Sequence, residues 1–328
     1  MKKLSVIIPY YKETARELFP ALASVNTQVG IDFGEIEVIL VNDGAGNELP
    51  KKFLKVFHNL DPQVILAKEN RGPGVARQTG IDAARGEYVI FIDADDLLHN
   101  VGVLGAFLQE MAHAPDVILS PWISEMRNPH TGDYMYDTRD NENTWMHGKA
   151  FRRQYLKDNN IRFHPELRVH EDSYFLAVAL ALAGNVRKIT AGVSYLWRYN
   201  GASMTRSNDG LYAYKNAPDF IRAVDLSFQR LEKDAPEQLR YKVVQVILYN
   251  YFAMHTPEWL AADKREYLER AERTFAQMIK KYLTYYDEAP EEFVRAVYNE
   301  ERAKTFAQGI EAETFAVWFG RILGDRRQ

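Results

Sequence analysis

Asp93, Asp95 and Asp96 close the segment Gly86-Glu87-Tyr88-Val89-Ile90-Phe91-Ile92-Asp93-Ala94-Asp95-Asp96, where an unbroken apolar run ends abruptly in acid. Three carboxylates at one point repel one another unless a proton or a cation intervenes. Hard oxygen donors suit a divalent cation, and such an ion commonly carries a phosphorylated ligand. At i, i+2 spacing on a strand, Asp93 and Asp95 point the same way and converge on one ion. Asp96 is then left to ligate or to hold a neighbouring loop. The same acids could instead cap the helix expected to begin near Val101.

Four other places carry chemically useful residues. Val41-Asn42-Asp43-Gly44 ends a second apolar run, so Asp43 could accept hydrogen bonds from a base or ribose, or simply close an Asx turn. Glu69-Asn70-Arg71-Gly72-Pro73-Gly74-Val75-Ala76-Arg77 puts two cations at a loop-to-helix junction, where phosphate oxygens could be received. Gly72 and Pro73 could equally be structural there, and Arg77 could brace the aspartates. Glu171-Asp172 opens an apolar helix. Acids there are favoured by the helix dipole, and one facing a hydroxyl can also act as a general base. Arg198, Ser203 and Arg206 lie in a polar turn that could close over a diphosphate or be an ordinary surface connection.

These residues need a sheet to bring them together. Apolar β-branched runs at 4–8, 36–41, 63–67 and 88–92 alternate with helical patterns at 15–26 and 73–84, which predicts βαβ units in a largely parallel sheet. Open sheets of this kind bind ligands at the carboxyl ends of their strands, where Asp43 and the aspartate cluster fall. Beyond them the pattern predicts a helix over 101–112, an edge strand over 117–120, and a loop-rich stretch over 128–143 bordering a cleft. A helix near 152–159, one from Glu171 to Gly184, and a strand over 193–197 follow.

After about Gly210 the pattern becomes helical, with apolar and aromatic residues recurring among charged ones through 214–231, 239–254, 260–285, 292–307 and 312–323. Pro218, Pro236, Pro257 and Pro290 are expected to punctuate these helices. Two domains are therefore expected, 1–210 carrying the chemistry and 211–328 helical. Phe315, Trp318, Phe319 and Ile322 share one helical face, which would suit a homodimer contact or peripheral association with a membrane.

The bulk properties exclude several classes. Forty-one Lys plus Arg against 45 Asp plus Glu give a formal charge of −4, which does not favour nucleic-acid binding. No cysteine is present, so disulfides, thiolate nucleophiles and Cys-ligated zinc are ruled out. The first apolar run stops at Pro9 and reads as a strand, not a leader. No stretch reaches the roughly 18 apolar residues that cross a bilayer. A cytoplasmic protein is expected, with the inner membrane face as a place of action.

The combination Val6-Ile7-Ile8-Pro9-Tyr10-Tyr11-Lys12-Glu13, Val41 through Gly44, Asn70 through Gly80, Gly86 through Asp96, His147-Gly148-Lys149 and Glu171-Asp172 resembles family 2 inverting glycosyltransferases with the GT-A fold. That resemblance spans roughly residues 3 to 206. It implies a Rossmann-like α/β domain with a mixed, mostly parallel sheet and a UDP-sugar donor. Pro9, Tyr11, Glu13 and Asp43 would line the nucleoside site, bordered by Arg71 and Arg77. Asp93, with Ala94 beside it, would meet the ribose or complete the metal shell, while Asp95 would ligate Mn²⁺ or Mg²⁺ bridging the diphosphate. Asp172 would be the base with Glu171 its neighbour, and Arg198, Ser203 and Arg206 would close on the diphosphate. Two positions depart from the pattern: Asn42 stands where a second acid is common, and Asn200 where a metal-binding His is common.

The reaction so implied is a single displacement with inversion onto a hydroxyl of a glycan or glycolipid of the bacterial or phage surface type. Two rivals remain at this point. A nucleotidyltransferase also pairs Asp with metal on such a sheet, but normally adds a glycine- and lysine-rich loop after the first strand, where this chain has Tyr10-Tyr11-Lys12-Glu13-Thr14. A non-catalytic carbohydrate-binding subunit of the same fold would tolerate loss of Asp95 or Asp172, and both are present.

Overall fold

A computed structural model describes residues 1–328 except 47, 129, 141–144, 202, 204–209, 306–312 and 325–328. The fold divides into two compact units, residues 1–201 and 202–328.

The first unit is a mixed α/β structure built on two buried strands, β1 (Leu4–Tyr10) and β2 (Ile36–Asn42), whose seven residues each are all buried. Burial on both faces accounts for their continuous apolar runs. Between them, α1 (Ala15–Asn26) starts on a capping box in which Thr14 and Glu17 satisfy each other's backbone amides, and buries Leu18, Ala21, Leu22 and Val25. The chain continues through α2 (Lys51–Leu54), β3 (Gln63–Leu66), α3 (Pro73–Ala83), β4 (Tyr88–Phe91), β5 (Leu97–Leu98), α4 (Val103–Met111), β6 (Val117–Leu119), β7 (Trp122–Arg127), β8 (Tyr134–Arg139), β9 (Lys149–Arg152), α5 (Arg153–Asp158), α6 (Glu171–Ala181), β10 (Val186–Lys188) and β11 (Tyr195–Trp197).

The main sheet has the order β10-β6-β9-β4-β1-β2-β3, and a second, four-stranded sheet the order β5-β11-β7-β8. β1 runs parallel to both β2 and β4, so the ends of all three strands reach the same edge. β9 is antiparallel to β4 and β6.

Three expectations change here. The strand at 117–119 lies inside the sheet, because β10 adds outside it. The stretch 128–143 contains β8, an edge strand paired with β7. It is mostly exposed, so it lacks the apolar alternation that marks a half-buried strand. β9 is too short to show a period before α5 begins.

The second unit is all helical: α7 (Tyr212–Asp234), α8 (Pro236–Met254), α9 (Pro257–Leu260), α10 (Arg265–Ile279), α11 (Leu283–Asp287), α12 (Glu291–Thr305) and α13 (Phe315–Leu323). Pro236 and Pro257 start helices, whereas Pro218 sits within α7. The span 260–285, expected as one helix, is broken by two 3₁₀ turns. The terminal aromatic stripe faces its own unit's interior. Trp318 is wholly buried against Phe275 and Tyr251 and donates its indole N–H to Glu272, while Phe315 packs on Tyr251 and Tyr286. Of the stripe expected to form a dimer or membrane surface, Trp318 and Ile322 are buried in this unit and Phe315 and Phe319 are half-buried. No helix of the described residues is long and apolar enough to cross a membrane.

Candidate active site

The aspartates lie on a turn beyond β4. The amide of Asp96 donates to the carbonyl of Asp93 over 3.0 Å, closing Asp93-Ala94-Asp95-Asp96 into a β-turn instead of extending the strand. The turn separates the three acids by role. Asp96 is 1 % exposed and holds a neighbouring segment, accepting from the Tyr195 hydroxyl at 2.6 Å and the Arg198 amide at 2.9 Å. Burial and the charges of Asp93 and Asp95 push its carboxyl well above the ordinary range. Asp95 accepts from the Asn200 side-chain amide at 2.8 Å, and Arg198 reaches the Asp95 carbonyl at 3.3 Å.

Asp93 is tied to a second motif through one buried cation. Arg77, 6 % exposed, donates to Asp93 at 2.7 Å and to Glu171 at 2.8 Å. The helix carrying Arg77 reaches this position because Gly74 lies against Glu171; a Cβ there would stand 2.7 Å from Glu171 Cγ. Burial works against the Arg77 charge, but the flanking carboxylates, Asp172 among them, hold its pKa above the ordinary arginine value. For Asp93, burial raises the carboxyl, yet the Arg77 charge and hydrogen bond outweigh it and the net direction is down. Glu171 goes the other way: burial and the adjacent Asp172 push it up to about 7, with Arg77 only partly opposing. Asp172 is half-buried at the first turn of α6, where it accepts from the Ser173 amide at 2.7 Å.

On the nucleoside side of the expected site, Tyr11 is 36 % exposed and its amide donates to Glu13 at 2.7 Å. Pro9 pairs in register with Val41 near the same sheet edge. Asp43 is 5 % exposed, and both its oxygens hold the loop before α3: one accepts from the Arg71 amide at 2.9 Å, the other from the Gly72 amide at 2.8 Å. Gly44, at φ +79°, permits this approach, since a Cβ there would lie 2.1 Å from the Glu69 carbonyl carbon. Arg71 itself is exposed. Ser203 falls in the second unit, and Arg206 lies outside the described residues.

Two residues of the site had no role assigned from the sequence: Tyr195 went unremarked, and His147 entered only as part of the family-like motif His147-Gly148-Lys149. Tyr195 accepts from the Asp93 amide at 3.1 Å and donates to Asp96, so one phenol fixes both ends of the turn. His147 is buried, stacks on Tyr195 with ring centres 4.6 Å apart, and has an Nε2 with no hydrogen-bond partner among the described residues. Burial pushes its pKa down to about 3, keeping it neutral. Ligand atoms of Asp93, Asp96 and His147 lie within 4.8 Å of one another. Asp96 and His147 are buried in that group, and Asp96 is already engaged by Tyr195 and Arg198. The half-buried Asp93 and Asp95 are the more accessible carboxylates.

The donor chemistry near Asp95 fits a divalent cation. Burial and the like charges of Asp93 and Glu13 raise its carboxyl despite the Asn200 hydrogen bond, and a cation seated on it would favour the ionised form. Asn200 turns an N–H toward Asp95, and it would have to present its amide oxygen to serve as a third ligand.

Comparisons with known proteins bear on the family and the fold. Residues 5–166 match the family described as Glycosyl transferase family 2. The succinoglycan biosynthesis protein ExoO of Rhizobium meliloti is 26 % identical over 59 % of this chain and 60 % of its own length. The poly(ribitol-phosphate) beta-N-acetylglucosaminyltransferase TarS of Staphylococcus aureus is 27 % identical over 77 % of this chain and 45 % of its own length. The chain therefore spans only about half to three-fifths of these relatives. A crystal structure of S. aureus TarS residues 1–349 has the same fold, with a TM-score of 0.66 at 19 % identity over 95 % of this chain and 93 % of that one.

Proposed function

Because the chain belongs to glycosyl transferase family 2 through residues 5–166, we propose that it transfers a sugar from a UDP-sugar to a hydroxyl of a surface-glycan acceptor, with inversion at the anomeric carbon. The observation that carries the reading is the single guanidinium of Arg77 between Asp93 and Glu171. Through it the acid cluster after β4 and the acid pair opening α6, 78 residues apart in sequence, border one site.

In this reading Asp93 and Asp95 hold Mn²⁺ or Mg²⁺, which when bound neutralises the diphosphate of the leaving group. The chain's own groups do the rest. Tyr11 and Glu13, at the end of β1, flank the nucleoside with Asp43 and Arg71 behind them. Asp172 accepts the proton of the incoming hydroxyl as its oxygen attacks the face opposite UDP, so an α-linked donor yields a β-linked product. Burial and the charge of Asp172 itself hold Glu171 back from adding a second full negative charge beside that base, and Arg77 offsets the charge it does carry. Arg198, held by Asp96, stands next to the diphosphate as the bond to it breaks. TarS has been solved with UDP-GlcNAc, which makes that donor the first to try.

The test is a screen of UDP-sugars with Mn²⁺, following UDP release with the wild type and Asp172→Asn. Transfer should fall at least about a hundredfold in the variant, with UDP affinity within a few-fold. Equal turnover would remove Asp172 from the mechanism. Failure of the wild type to bind UDP in the presence of Mn²⁺ would remove the donor assignment.

A further inference from the structure

The β7–β8 hairpin presents Tyr134 and Tyr136 at i, i+2 on the edge strand of the second sheet, 57 % and 61 % exposed. Exposed tyrosines at alternate positions stand on one face, and register sets Tyr136 opposite Glu125 and Tyr134 opposite Arg127 on that same face. The pair is linked to the aspartate turn by a short chain of contacts. Glu125 accepts the Tyr136 hydroxyl at 3.0 Å through one oxygen and the Tyr199 amide at 2.9 Å through the other. Tyr199 in turn packs edge-on against Tyr134, with ring centres 6.4 Å apart, and precedes the Asn200 that bonds Asp95.

We infer that this tyrosine face is an acceptor subsite for a pyranose ring of the glycan, deepening the proposed function and resting on it. Ring faces beside a carboxylate and phenolic hydroxyls match the two sides of a pyranose, whose axial C–H groups lie on an aromatic face while its hydroxyls reach Glu125. Continuity with Asn200 and Asp95 places the subsite along one path from the nucleotide corner, where an extended acceptor must lie. A second copy of this chain fits less well, since the core of a dimer face is depleted of carboxylates, and Glu125 and the Arg139–Asp137 ion pair lie on the same hairpin. An acyclic polyol offers no ring face to stack.

The experiment uses the full chain and saturation-transfer NMR with methyl β-D-glucopyranoside and methyl N-acetyl-β-D-glucosaminide, with ribitol as the acyclic control. The variant is Tyr134→Thr/Tyr136→Thr, because threonine keeps β-propensity on an exposed edge while removing both rings. Saturation of at least one pyranoside by the wild type is expected, about tenfold weaker affinity in the double variant, and none with ribitol. Calorimetry with UDP and Mn²⁺ should give the same affinity in both proteins. Tyr136→Phe, which keeps the ring, should retain most of the pyranoside signal and guards against a folding defect in the double variant. Absence of pyranoside binding in the wild type, binding unaffected by loss of the rings, or binding of ribitol instead would each overturn the inference. Dissociation of a wild-type dimer by the double variant, seen by light scattering, would do so too. If UDP binds and the pyranosides do not, only this subsite falls; if the pyranosides bind and UDP does not, the donor reading falls.

Discussion

Replacing Arg77 by Met keeps most of the stem's volume and removes the charge that two carboxylates share. Breaking a buried ion pair by deleting one member costs about 3–5 kcal/mol, because the remaining charge is left without compensation. Two features set where in that range the loss falls. Glu171 already titrates at about 7, so without the guanidinium it stays protonated at neutral pH and avoids becoming a bare buried charge. The Asp93 side chain is 32 % exposed, and water replaces part of what Arg77 supplied. The expected loss is therefore about 3 kcal/mol at pH 7, the low end of the range. The same reasoning fixes the pH trend. Below the Glu171 pKa the carboxyl is neutral in both proteins, so the gap between wild type and variant narrows from pH 8 to pH 5.5. Urea titrations followed by tryptophan fluorescence at those pH values measure it. A loss below about 1 kcal/mol at pH 7, the size of an exposed ion pair, would refute the reasoning. A gap that widens toward acid would refute it equally.

Three further outcomes follow from the site. Asp95→Ala should leave UDP affinity insensitive to added Mn²⁺, and calorimetry showing the wild-type response would exclude Asp95 as a ligand. Tyr195→Phe removes the hydroxyl that serves the Asp93 amide and Asp96, so thermal unfolding should report a loss of about 1–3 kcal/mol; no change would mean that the turn holds itself. Glu171 has its folded pKa raised above the unfolded value of 4.5, so its contribution to stability is present below that value and is lost as pH rises through about 7. Glu171→Gln should accordingly lose less stability than the wild type between pH 4.5 and 7.5, and parallel pH profiles would contradict the shift.

The legible parts of the fold are those where one physical rule acts alone. β1 and β2 are buried on both faces and announce themselves as apolar runs, and α1 carries its capping box in the residues Thr14 and Glu17. β8 was hidden because an exposed edge strand has no inward face to mark it, and its tyrosines read as loop residues. At the aspartates the residue types were informative, but strand periodicity misassigned their directions: the turn at 93–96 buries Asp96 and leaves Asp95 half-buried. Tyr195 left no local signal, since the hydrogen bond from the Asp93 amide to it spans 102 residues of sequence and only the second sheet brings it about; His147 was visible as part of a motif but without a role. The Arg77 bridge was half legible. Its bracing of the aspartates followed from charge, whereas its reach to Glu171, 94 residues away, depends on the close packing at Gly74.

The most direct measurement of the central claim is a crystal structure of this chain with UDP-GlcNAc and Mn²⁺. The account expects the cation on Asp95 at the oxygen-ligand distance of about 2.0–2.6 Å, with the Asp172 carboxylate on the side of the anomeric carbon opposite the diphosphate. UDP bound away from the turn at 93–96, or Asp172 on the same side as the leaving group, would contradict it.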